Sequence, residues 1–203
     1  MRGRSTETAL SIYMTSLLLT HGAGSNRSAP LLVALANTLS EHQIEVVRYD
    51  LPFRQTRATG PPRPGDAACD REGLREQILK LREKHPDRVW LGGVSYGGRQ
   101  ASMLAAENPG LADRLLLLSY PLHAPGKPEQ LRTAHFPKLL APVFFVHGTR
   151  DPFGSTQEFQ AAMKLIPAPV QMLEMEGAGH DLGRNHTVTA ARIAQWLLGF
   201  DGQ

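Results

Sequence analysis

The chain has 203 residues, 41% hydrophobic and 20% charged, which suits one domain burying roughly 70% of its surface and excludes a disordered or fibrous protein. Its 22 basic and 19 acidic residues give a net charge of +3 and are mostly mixed along the sequence, so nothing points to a nucleic-acid partner. The single cysteine, Cys69, excludes an intramolecular disulfide framework and fits a reducing, cytoplasmic setting.

Residues 8–14 read as an edge strand, and Leu17–Leu19 as a buried strand ending in the glycine turn His21-Gly22-Ala23-Gly24. That apolar run is too short to cross a bilayer, so no membrane association is expected. Arg2 and Arg4 precede it as in a signal peptide, but the small-residue site at 22–24 falls in a turn the chemistry below requires. Ser28 reads as an N-cap with Pro30 in the first turn, and Leu32, Leu35, Ala36 and Leu39 follow at helical spacing. Ile44–Tyr49 is a second strand. It enters a Pro/Arg-rich loop, 51–66, followed by a helix with Leu74, Ile78 and Leu81 on one face.

Val89–Val94 is a third strand, and a helix runs from Tyr96 to near Asn108-Pro109. Leu115–Leu118 and Val143–Val146 are continuously apolar, as expected of strands covered on both sheet faces. Ser155 and Glu158 form a capping-box pattern before Phe159, Met163 and Ile166. Val170–Leu173 is the last strand, and Ile193, Trp196, Leu197 and Phe200 mark a C-terminal helix. This alternation predicts an α/β fold in a single domain: a mostly parallel central sheet of six to seven strands with helices on both faces.

The most informative stretch is Gly92-Gly93-Val94-Ser95-Tyr96-Gly97-Gly98, at a strand-to-helix junction. A serine on so sharp a turn needs glycines two positions before and after it, where side chains would collide. Such a serine requires a base, and the base an orienting acid, in the chain order nucleophile, acid, base. Asp151 follows the strand 143–146 and His180 follows the strand 170–173, both at carboxyl ends of parallel strands, where ligands bind in open sheets. Asp113, Asp181 and Asp50 fit less well: the first precedes its strand, the second adjoins the histidine, and the third belongs to a strand before the nucleophile.

A developing oxyanion needs two donors, expected from the backbone N–H groups of Ala23 and Tyr96, with Gly22 and Gly24 letting the turn approach the substrate. Phe53, Arg57 and His123 are the other candidate substrate contacts. The basic excess of Arg48, Arg54, Arg57 and Arg63 over Asp50 and Asp66 reads as a solvated loop, or as a rim for an anionic ligand. His147 reads as structural beneath Asp151. No His/Cys/Asp set has metal-ligand spacing, so neither metal nor cofactor is expected.

From Leu17 to Phe200 the sequence resembles the α/β-hydrolase superfamily. Gly92–Arg99 (GGVSYGGR), Ser119–Arg132 (SYPLHAPGKPEQLR) and Val146–Gly154 (VHGTRDPFG) are similar to one branch in particular. It is the small, lidless, dienelactone-hydrolase-like domain of testis-expressed protein thirty and the third regulatory subunit of the NSL complex. The resemblance implies a triad of Ser95, Asp151 and His180, and marks Pro121–Lys127 as a family feature near the site. Dienelactone hydrolases proper carry cysteine where this chain has Ser95. The expected activity is that of a serine hydrolase acting on a small-molecule carboxylic ester or thioester. The competing expectation is a catalytically silent interaction module on the same fold.

Overall fold

The computed structural model describes residues 15–86 and 88–201, and the edge strand expected at 8–14 lies outside them. The apolar runs become β1 (Thr15–Thr20), β2 (Ile44–Tyr49), β3 (Val89–Val94), β4 (Arg114–Leu118), β5 (Val143–Gly148) and β6 (Val170–Met175). They form a six-stranded sheet, β2-β1-β3-β4-β5-β6, in which every neighbouring pair is parallel. Leu17, Leu18 and Leu19 are all fully buried because both faces of the sheet are covered, which is why their run shows no alternation.

The helices are α1 (Pro30–Ser40), α2 (Pro52–Thr56), α3 (Asp66–Lys84), α4 (Tyr96–Glu107), α5 (Thr156–Met163) and α6 (His186–Asp201). From β1 the chain steps to β2, then crosses back over β1 to β3 and proceeds in one direction to β6. With crossovers of one hand, that reversal puts α1 and α3 on opposite faces. The core divides accordingly. Leu35, Leu39, Ile193 and Leu197 pack with Leu17 and Leu19 on one side, and Leu74, Ile78, Leu104 and Phe159 with Leu18 and Leu91 on the other. The reversal of strand order also opens a crevice between the carboxyl ends of β1 and β3.

Three local readings change. The N-cap of α1 is Ala29, not Ser28, and it has no side-chain cap. Asn26 organises the approach instead: its side chain accepts the Ser28 N–H at 2.8 Å and its carbonyl the Ala29 N–H at 3.0 Å. The loop 51–66 contains the short helix α2, with Pro52 in its first turn. The Ser155–Glu158 capping box forms as expected at α5, which ends at Met163, leaving Ile166 beyond it. The β4–β5 connection holds one turn of 3-10 helix, Phe136–Lys138, and no lid.

Burial lowers the pKa of three histidines. His21 is fully buried, its Nδ1 donating to the Gly22 carbonyl at 2.8 Å while its Nε2 accepts the Leu51 N–H at 3.1 Å. His147 is buried against Phe159, ring centroids 4.2 Å apart. His135 lies 2.8 Å from the Ser102 hydroxyl and is pushed down to about 4. Each is neutral when folded, whereas the unfolded chain takes up a proton at the ordinary value. Their contribution is therefore fully present above about pH 6.5 and is lost as pH falls toward the folded values. Chemical denaturation at pH 7 and pH 5 should show a loss of about 2 kcal/mol from His135 alone. His135→Asn should flatten the pH slope by about one proton; an unchanged slope would contradict this assignment.

Candidate active site

β3 runs out through Gly93 and Val94, and Ser95 turns the chain into α4 with φ 52° and ψ −114°. Positive φ at a non-glycine residue costs on the order of 1–3 kcal/mol and persists only where its surroundings enforce it. A Cβ at Gly93 would lie 2.6 Å from the Gly97 carbonyl carbon and the Gly98 nitrogen, and one at Gly97 would meet the His21 carbonyl oxygen. The glycines are present because backbone occupies the space a side chain would need.

The strained turn presents the Ser95 hydroxyl to His180, with Nε2 2.8 Å from Oγ. The Nδ1 of the same ring is 2.8 Å from Asp151 Oδ2, which fixes Nδ1 as the protonated nitrogen facing the carboxylate and leaves Nε2 to accept from the hydroxyl. The Asp151 side chain is fully buried and that of His180 is 28% exposed. The other carboxylate oxygen, Oδ1, accepts the Phe153 N–H at 2.9 Å, and the Phe153 ring packs on His180 at a centroid distance of 4.2 Å. The loops carrying the two residues are stitched together. Arg150 N–H donates to the Ala178 carbonyl at 2.9 Å and Gly177 N–H to the Thr149 hydroxyl at 2.9 Å. Gly148 allows this approach, since a Cβ there would meet the Ala178 and Gly179 carbonyls. A hydroxyl, an imidazole and a buried carboxylate linked in this order are the arrangement that activates serine for attack.

The turn after β1 faces the same hydroxyl. Among the described residues, no acceptor meets the Ala23 or Tyr96 N–H, and the latter opens the N-terminus of α4, where the helix dipole favours negative charge. Arg54 shapes this turn. It is 7% exposed and donates from Nε to the Ser25 carbonyl at 2.8 Å and from Nη2 to those of Ala23 and Gly60 at 2.8 and 2.9 Å. Its Nη1 reaches the Arg57 carbonyl at 3.1 Å.

Two cavities meet at Ser95. One, of about 440 Å³, is bounded by Gly22, Gly24, Leu31, Leu32, Val94 and His180. The other, of about 280 Å³, is bounded by Tyr96, Pro121 and Phe153 among others, and Ala23 and Ser95 line both.

The structure therefore brings together Ser95, Asp151, His180, Ala23, Tyr96, Gly22 and Gly24. Phe53, Arg57 and His123 line neither cavity. Phe53 is 2% exposed and sits beneath the site, edge-on to His21 and Tyr96 at 5.7 and 5.8 Å. Arg57 is held by Asp66 at 2.6 Å. His123 is 5% exposed, with Nδ1 2.8 Å from the Ala124 carbonyl and Nε2 3.4 Å from Glu158. The basic loop is not simply solvated either: Arg48 donates to the Arg27 carbonyl and Arg54 is internal.

Sequence reasoning missed Asp70. Its buried carboxylate accepts the Phe53 N–H at 3.0 Å and the Tyr96 hydroxyl at 2.7 Å, tying α2 and the start of α4 to α3. Burial raises its pKa, and burial followed by the Asp70 hydrogen bond raises that of Tyr96. The signal was in the spacing, since Asp70 lies one helical turn before Leu74 and two before Ile78 on the apolar face.

Residues 13–196 match the model of the alpha/beta hydrolase domain family, and the chain belongs to that family. Its fold is shared with solved structures at low identity. The dienelactone hydrolase from Anabaena variabilis ATCC 29413 superposes with a TM-score of 0.72 at 18% identity, covering 92% of this chain and 87% of that one. Est1E from Butyrivibrio proteoclasticus, in a structure with ferulic acid bound, gives 0.74 at 14% identity over 97% and 93%. A putative hydrolase from Xanthomonas campestris pv. campestris gives 0.64 at 22% identity over 91% and 99%. The fold and family support a hydrolase.

Arg54→Met removes the four hydrogen bonds of a buried guanidinium, three of them to carbonyls of the half-buried Ala23, Ser25 and Arg57, and should destabilise the protein by about 2–4 kcal/mol in urea denaturation. Arg57→Gln, losing a more exposed ion pair, should cost about 1 kcal/mol or less. Equal effects would contradict the role of Arg54 in holding the turn.

Proposed function

We propose that the protein is a serine hydrolase that cleaves a small-molecule carboxylic ester or thioester through an acyl-enzyme on Ser95. The carrying observation is the linked set Ser95–His180–Asp151, with both hydrogen bonds at 2.8 Å. Ser95 Oγ attacks the acyl carbonyl while His180 Nε2 takes its proton. The tetrahedral oxyanion is held by the N–H groups of Ala23 and Tyr96. Its collapse breaks the bond to the leaving oxygen or sulfur, which receives the proton from His180, and Ser95 is left acylated. His180 then takes a proton from water as that water attacks, and returns it to Ser95 Oγ as the acid departs. Asp151 stays ionised, orienting the ring and stabilising the imidazolium in both halves.

The strain at Ser95 argues against a silent interaction module, which has no use for a high-energy backbone at a hydroxyl facing an imidazole. The motif stretches at 92–99, 119–132 and 146–154 support membership of the lidless branch with testis-expressed protein thirty. Cys69, exposed and unpaired, fits a cytoplasmic setting. No helix among the described residues is long and apolar enough to cross a membrane.

A fluorophosphonate probe should label the wild type and not Ser95→Ala. With p-nitrophenyl butyrate, Ser95→Ala should lose about 10⁴–10⁶ in kcat, and Asp151→Asn about 10⁴ with its fold intact. Absence of labelling and turnover in the wild type would leave the interaction-module reading standing.

A further inference from the structure

The smaller cavity beside Ser95 carries two guanidinium groups, those of Arg99 and Arg132, along with Tyr96, Pro121 and Phe153. Neither side chain forms an ion pair among the described residues, and Arg99 Nε is buried with no hydrogen-bond partner. Two like charges brought together in a half-buried space are costly unless an anion joins them. The same two effects lower the pKa of Arg132: burial first, then the neighbouring charge of Arg99. Arg54 is a useful contrast, because it is more deeply buried yet spends its donors on four carbonyls. Arg99 and Arg132 meet no carboxylate among the described residues, and Arg99 shares a hydrogen bond with the neutral hydroxyl of Tyr120.

Both arginines are anchored to the fold. Arg99 lies one helical turn past the nucleophile, its N–H bonded to the Ser95 carbonyl at 3.0 Å. Arg132 sits in the β4–β5 connection, where nothing periodic fixes it, but its N–H donates to the Leu122 carbonyl at 2.7 Å. Its carbonyl accepts the Tyr120 hydroxyl at 2.6 Å, and Tyr120 is fully buried against Phe136 and Phe145. The core thus holds a loop arginine toward the reacting serine. On the other side of Ser95, the larger cavity is walled by Leu31, Leu32 and Val94.

We infer that Arg99 and Arg132 form a carboxylate-binding subsite, so that the substrate is an ester or thioester with a carboxylate on one side of the scissile bond and an apolar group on the other. A planar carboxylate matches the guanidinium fork and satisfies both cations at once. At about 280 Å³ the cavity suits a carboxylate on a short carbon chain. This rests on the hydrolase reading and places the anion site at the nucleophile helix and the β4–β5 connection, away from the basic loop 54–63.

Two anionic probes cover both possible orientations: mono-4-nitrophenyl glutarate, with the acid on the acyl side, and 4-carboxyphenyl butyrate, with it on the leaving side. Their neutral counterparts are 4-nitrophenyl butyrate and phenyl butyrate. At least one acid should exceed its neutral counterpart in kcat/KM by about tenfold or more, and added salt should reduce that ratio. Arg132→Gln, which leaves the backbone bonds of residue 132 in place, should cut the ratio about tenfold through KM, and Arg99→Gln should act in the same direction. Turnover of neutral esters with no preference for either acid would overturn the subsite and leave the hydrolase intact. If no ester is turned over, calorimetry decides. Ser95→Ala protein should bind glutarate, and the Ser95→Ala/Arg132→Gln double variant about tenfold more weakly. No glutarate binding, or equal binding by both, would overturn the inference independently of catalysis.

Discussion

Everything functional in this fold depends on a backbone-to-backbone approach, in which the Gly97 Cα of the nucleophile turn is packed against the His21 carbonyl at the end of β1. β1 and β3 are neighbours because the strand order reverses there. The approach converts that topological accident into a site, by bringing the Ala23 turn and the start of α4 to the Ser95 hydroxyl. It also maintains the unfavourable backbone at Ser95, since relaxing that residue would drive α4 into β1. The surrounding contacts are arranged to keep the approach closed. Arg54 grips the carbonyls of the turn from below, neutral His21 links it to the start of α2, and Asp70 ties α2 and Tyr96 to α3.

Charge is distributed by the same logic. Asp151 is buried and anionic in a place where His180 and one backbone N–H satisfy it. Arg54 is buried and cationic where four carbonyls satisfy it. Arg57 is cancelled by Asp66. Arg99 and Arg132 remain as cations turned toward the cavity, with a mostly apolar cavity opposite. A site built in this way is polarised across the Ser95 hydroxyl, with guanidinium groups lining one cavity and mostly apolar side chains the other.

Much of this was legible in the sequence. β2 and β3 span the residues expected of them: β3 is buried inside the sheet and has no charged residue, whereas β2, at the sheet edge, keeps Glu45 and Arg48 among its apolar residues. Ser95, Asp151 and His180 were legible because chemistry and strain restrict which residue types can stand at those three strand ends. The loops were harder to read. Phe53 and His123, expected at the site, are core residues; each lies in a segment without periodicity, whose course is set by distant partners such as Asp70 and Glu158. A cluster of arginines does not announce which member will be buried: Arg54 and Arg57 are three residues apart on the chain and opposite in fate. Arg132 gave no local signal, because its position depends on Tyr120 twelve residues earlier. Asp70 was readable in hindsight, as a carboxylate on an apolar helix face.

The central claim is that acyl transfer passes through Ser95. Rapid-quench mass spectrometry during turnover of p-nitrophenyl trimethylacetate, whose bulky acyl-enzyme is slow to hydrolyse, tests it directly. The account predicts a trimethylacetyl adduct on the peptide carrying Ser95, formed no more slowly than steady-state turnover. Release of nitrophenol with that peptide unmodified, or with the adduct on another residue, would contradict it.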